Sequence, residues 1–92
     1  MKSISKISSI IVQTTALLRK FGCPEWADKL EKCRLALPHD TTYALSQIVS
    51  LYGGSGSIND IVLYEQAKPL LDENNKLHAL LAELYDVCVG SH

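Results

Sequence analysis

The run Tyr52-Gly53-Gly54-Ser55-Gly56-Ser57-Ile58-Asn59-Asp60 places three of the chain's five glycines within four positions. Glycine at this density marks backbone that must visit positive φ or approach another group closely. The loop is therefore a fold landmark and a candidate binding surface. Before it, and again near the end of the chain, apolar residues recur at the three- and four-residue steps of amphipathic helices.

Ile4, Ile7, Ile11, Leu18 and Phe21 form the first stripe, with Thr14 filling the one gap. Ser3 is a plausible N-cap and Gly22 a left-handed stop. Pro24 then opens a second helix, where a missing N–H is tolerated, and Glu25 and Asp28 suit the positive end of its dipole. Trp26, Leu30, Cys33 and Leu37 continue one face, and Pro38 closes it. Asp40 caps a third helix with Ala44, Leu45, Ile48, Val49 and Tyr52 on its apolar side, and Gly53 ends it. After the loop, Ser57 and Asp60 have capping-box spacing. The segment Ile58 to Tyr64 reads as a short helix. Its Ile, Val and Tyr also favour a strand, but a lone strand would lack a partner. Pro69 marks a break or a helix start, and Asp72 or Asn74 can cap a final helix built on Leu77, Leu80, Leu81, Leu84, Tyr85 and Cys88. Glu83 and Asp86 face outward. These elements predict an all-α fold: one bundle of four or five helices over residues 1–92, with the glycine loop between helices 3 and 4.

At 92 residues and 47% hydrophobic, the chain is sized for one small core. No run approaches the length of a membrane span, and Met1 to Phe21 lacks a secretory pattern, so a cytoplasmic protein without membrane association is expected. Cys23, Cys33 and Cys88 are odd in number and lack CxxC spacing, which predicts reduced, mostly buried thiols. The net charge of −1 conceals an asymmetry. Residues 1–34 carry seven basic side chains against three acids, and residues 35–92 carry two lysines against seven acids. The two parts can attract each other when helices pack, or the acidic part can steer the protein to a basic partner.

The sequence carries few residues in a pattern that chemistry requires. A glycine loop before a helix invites a phosphate-binding reading, yet no Lys-Ser or Lys-Thr pair follows Gly56, and Asp60 puts negative charge where phosphate would sit. Asn59 and Asp60 either satisfy backbone N–H groups of the loop or present an acid and an amide to a partner. His39, His78 and His92 share no ligand spacing with each other or with the cysteines, so neither a metal nor a cofactor is expected. His39 reads as exposed and His78 as lying on the polar side of its helix. Among the aromatics, Tyr43 is the best candidate for exposure. The basic side chains are scattered over two helices without aromatic interleaving, which argues against direct nucleic-acid binding. No set of residues fit for catalysis converges, so a non-enzymatic protein is expected.

The residues Tyr52-Gly53-Gly54-Ser55-Gly56-Ser57-Ile58-Asn59-Asp60-Ile61-Val62-Leu63, then Asp72-Glu73-Asn74-Asn75 and the helix from Leu77 to Tyr85, resemble a family of small uncharacterised bacterial proteins. That family carries a Gly-Gly-Met-Gly-Ser-Phe-Asn-Asp-Leu-Val-Leu type signature, in which Ser55 here stands for Met and Ile58 for Phe. The resemblance implies a bacterial origin, a helical fold and an important loop, and nothing catalytic. By analogy, small cytoplasmic bacterial proteins with an acidic half are often immunity proteins that neutralise a toxin, a nuclease among the candidates. The expected partner is then a cognate toxin protein, met by Gly54, Ser55, Asn59, Asp60, Glu65, Asp72 and Glu73. The alternative is a small regulatory or adaptor protein, and a homodimer is left open.

Overall fold

In the computed structural model, which describes residues 4–53 and 56–90, local signals set the helix ends much as the sequence implies. Ser3, Gly54, Ser55, Ser91 and His92 lie outside the described residues. Helix α1 spans Ile4–Lys20, with Arg19 and Lys20 in its last turn where cations favour the dipole. Gly22 follows at φ 85°, and the Cys23 N–H reaches back to the Leu18 carbonyl. Helix α2, Pro24–Ala36, begins on its proline. Helix α3, Thr41–Ser50, is capped by Asp40, whose carboxylate accepts from the Tyr43 N–H at 3.2 Å.

Helix α4, Leu71–Gly90, packs against both α1 and α3, and α2 packs against the same two, so the four helices form a closed ring. Lys6 lies beside Glu83, while Leu17 and Phe21 share a groove with Asp72 and Lys76, so α1 and α4 run antiparallel. The ring encloses Ile7, Ile11, Leu18, Leu30, Leu37, Ile48, Leu77, Leu81 and Leu84. Thr14 is fully buried among them because its hydroxyl donates to the Ile10 carbonyl at 2.7 Å, which removes the cost of an unpaired polar group.

The fold is predominantly helical but departs from the all-α expectation between the loop and α4. Ser57 begins a single 3-10 turn, Ile58–Asp60, and the helix expected through Ile61, Val62 and Tyr64 does not form. Ile61 and Leu63 are buried and Val62 and Tyr64 exposed, the two-residue alternation of extended chain. Strand β1, Tyr64–Glu65, pairs antiparallel with β2, Lys68–Pro69, in the register Tyr64 to Pro69 and Glu65 to Lys68. The partner that a lone strand would lack is supplied here, in part by a side chain. Asn74 Oδ1 accepts from the Leu63 N–H at 2.7 Å and its Nδ2 donates to the Leu63 carbonyl at 3.0 Å, imitating one residue of a neighbouring strand. Asn74 is thus buried within α4, and neither it nor Asp72 is the helix cap: the Asn74 N–H bonds to the Leu70 carbonyl, which sets the start one residue before Asp72.

Candidate functional site

The stretch from Gly56 to Asp60, on the far side of the glycine loop, is held by its own polar residues. Asp60 Oδ2 accepts from the Gly56 N–H at 2.7 Å and the Ser57 N–H at 3.3 Å, and Ser57 Oγ accepts from the Asn59 N–H at 3.3 Å. This is the capping box expected from the spacing, closed with Asp where Glu or Gln is usual. Gly53 and Gly56 sit at φ 94° and 75°, which other residues adopt only with strain. The Ile58 N–H then returns to the Leu51 carbonyl at 3.0 Å, tying the far side of the loop to the end of α3.

Bracing of this kind fixes Asn59 on the rim of a cleft of about 500 Å³ between the end of α3 and the middle of α4. Tyr52 forms one wall. Its hydroxyl donates to the Leu81 carbonyl at 2.7 Å, and its ring packs on Tyr85 with centroids 4.9 Å apart and planes tilted by 60°. Burial, with smaller contributions from Cys88 and Tyr85, pushes the Tyr52 phenol well above its ordinary pKa, so it stays a neutral donor. Val49, Gly53 and Ala82 complete the apolar lining, and Asp86 adds a carboxylate. The cleft can therefore offer aromatic faces, an amide and one negative charge to a bound group.

The residues expected to meet a partner are not brought together. Asn59 lines the cleft, and Asp60 acts one step behind it through the loop backbone. Glu65 is exposed on the hairpin. Asp72 and Glu73 line a separate groove of about 220 Å³ with Leu17, Lys20, Phe21 and Lys76. Gly54 and Ser55 are outside the described residues. Helical spacing does not mark Tyr52, Tyr85 and Asp86 as site residues, since it places Tyr52 and Tyr85 in the core and Asp86 only outward. The one usable signal was the sequence of α4, where Ala82 and Asp86 stand a turn apart and flank Tyr85 on the same side.

Much of the acidic excess of the second half is engaged within the fold. Asp40 and Asp60 cap backbone, Glu83 lies 4.0 Å from Lys6, and Asp72 and Glu73 share their groove with Lys20 and Lys76. Among the described residues, Glu65, Asp72, Glu73 and Asp86 form no ion pair, although Asp72 and Glu73 have lysines across their groove. A second groove of about 330 Å³ between α2 and α3 has the opposite sign, with Lys29, Lys32, Tyr43 and Gln47 on its edges. Tyr43 is exposed, as is His39; His78 is exposed too and places Nε2 3.3 Å from the Ile61 carbonyl. Among the described residues no three His, Cys, Asp or Glu side chains gather where they could hold a metal ion, and no helix is long and apolar enough to cross a membrane.

These features define a small, predominantly helical domain with a hairpin ahead of its last helix and a braced aromatic cleft. It belongs to the family described as a domain of unknown function, DUF6966, whose model matches residues 19–71. That stretch holds α2, α3, the glycine loop and the hairpin, and stops where α4 begins. Comparison with curated proteins and with solved structures gives no match.

Proposed function

We propose that this protein is a non-catalytic binding module and that the cleft between Tyr52, Asn59, Tyr85 and Asp86 receives another protein. The observation that carries this reading is the placement of a stacked tyrosine pair, an amide and a carboxylate around a cleft whose edge is fixed by a hydrogen-bonded loop. Aromatic anchors in a preformed site supply large contact area at small entropy cost, which is why they dominate protein interfaces. The partner that best suits an acidic, aromatic cleft is a protein with a basic surface. We take it to be a cognate toxin, with this chain as its immunity protein.

The test is co-expression of the tagged protein with the product of the adjacent gene. A stable complex and protection of cells from that product are expected, with association slowing as salt rises. Tyr85→Ala and Asp86→Lys should each weaken the complex at least tenfold while leaving the circular dichroism spectrum unchanged. A gene neighbour that neither binds nor harms cells removes the immunity reading and leaves an adaptor in its place. Charge reversal at Asp60 is a poor probe of the interface, because that carboxylate also holds the loop.

A further inference from the structure

The cleft is specific enough to name the group it takes. We propose that it is a receptor for a single arginine side chain of the partner, with the guanidinium on the Tyr85 ring and hydrogen-bonded to Asp86 and to the amide oxygen of Asn59. This rests on the protein-binding reading and adds the chemistry of the anchor.

Three observations point to that side chain. Among the described residues, Asp86 is the one charged side chain lining the cleft and no Lys or Arg lines it, so the site is polarised toward a cation. The Tyr52 hydroxyl is already committed to the Leu81 carbonyl, so Tyr52 offers a ring and not a competing donor, and its tilt against Tyr85 leaves two aromatic surfaces at one corner. The Asn59 backbone is tied down by Ser57, which leaves its exposed side-chain amide as an acceptor at a fixed place on the rim. A cation over an aromatic face is attracted by the ring quadrupole, and more strongly where water is partly excluded. A lysine ammonium satisfies one such contact as a point charge. The planar guanidinium stacks on a ring and at the same time directs a fork of N–H donors at a carboxylate, and this cleft presents both. Ala82 and Gly53, with little or no side chain, leave room for the stem.

The α2–α3 groove supplies an internal control. With Lys29 and Lys32 on its edge it disfavours a cation, so shifts of equal strength there would mark contact that ignores charge and not occupation of the cleft.

The experiment is an NMR titration of the isotopically labelled full chain with N-acetyl-arginine methylamide, alongside the lysine analogue and the uncharged citrulline analogue. Saturable shifts at the Asn59 side-chain amide and the Tyr85 ring are expected, with Tyr43 and Gln47 unmoved. The citrulline analogue should bind at least tenfold more weakly and the lysine analogue severalfold more weakly. Asp86→Asn should reduce arginine affinity at least tenfold, and because Asp86 is exposed the variant's unchanged spectrum reports an intact fold. The proposal is overturned if no saturable shift occurs, if shifts are no stronger at the cleft than at Tyr43 and Gln47, or if citrulline or Asp86→Asn matches the parent pair. Its failure is separable from that of the binding reading. A gene-neighbour complex that forms although arginine leaves the cleft untouched sinks the arginine receptor alone, and arginine binding without any such complex sinks the toxin partner alone.

Discussion

At the residue scale, one buried side chain does more for the architecture than its type suggests. Asn74 holds the Leu63 N–H and carbonyl and also donates to the Leu70 carbonyl at 2.8 Å, so it ties α4 to the extended chain on both sides of the hairpin. Asn74→Leu keeps the branched outline of the side chain but orphans the Leu63 N–H, a cost of about 1 to 3 kcal/mol. Chemical denaturation should show that loss, and hydrogen exchange should show Leu63 losing protection ahead of the helices. The thiols offer a second check. Burial, then the neighbouring Glu25 charge, raises the Cys23 pKa, and burial raises that of Cys33. A raised pKa means less thiolate at neutral pH, so modification by a disulfide reagent should be slow at pH 7 and accelerate as pH rises through the shifted value. Cys23 is half-buried and should react first; Cys33 and Cys88 are buried and should react only on unfolding.

Among the elements, the hairpin is the least optimised. Gln66 and Ala67 occupy its two-residue turn at φ 52° and 66°, the geometry of a type I′ turn that Asn-Gly adopts readily. A side chain in the left-handed region costs about 1 to 2 kcal/mol, offset in part by the smaller backbone entropy that a non-glycine residue loses on folding. Replacing the pair by Asn-Gly should therefore raise stability by about 0.5 to 1 kcal/mol, seen as a higher urea midpoint with an unchanged slope. A fall in the midpoint would show that the turn's side chains make contributions greater than its strain. On the helices, Arg34 pairs with Glu31 along α2 in a half-buried contact, and Arg19 meets Asp28 at 2.9 Å between α1 and α2 in an exposed one that adds little to stability.

For the whole molecule, stability resides in the helical ring. Leu81 and Leu84 are essentially inaccessible to solvent, and truncating either leaves a cavity that the surrounding helices fill only partly. Leu84→Ala should cost about 2 to 5 kcal/mol, measured by thermal or urea unfolding. Tyr85, on the adjacent position, remains 38% exposed, so Tyr85→Ala should cost less stability while removing one wall of the cleft. That separation of effects on neighbouring residues of one helix distinguishes core from recognition surface.

What the sequence determined by itself was local. Gly22, Pro24 and Asp40 set helix ends, and Ser57 with Asp60 closes the loop, because caps and stops act on backbone groups within about four residues of the side chain. The apolar stripes named most of the core for the same reason: a helix turns its faces at a fixed period. The hairpin and the cleft were not legible. Extended chain from Ile61 to Leu63 depends on Asn74, eleven residues on, and the cleft depends on Tyr52 reaching Leu81, twenty-nine residues on. Spacing cannot show that an Asn able to cap a helix will be buried as a strand's partner, nor that a tyrosine of a core stripe will form the wall of an open cleft. Those assignments were made only when α4 closed the ring, since it is the packing of helices against one another that decides which polar groups lose water and which remain to meet it.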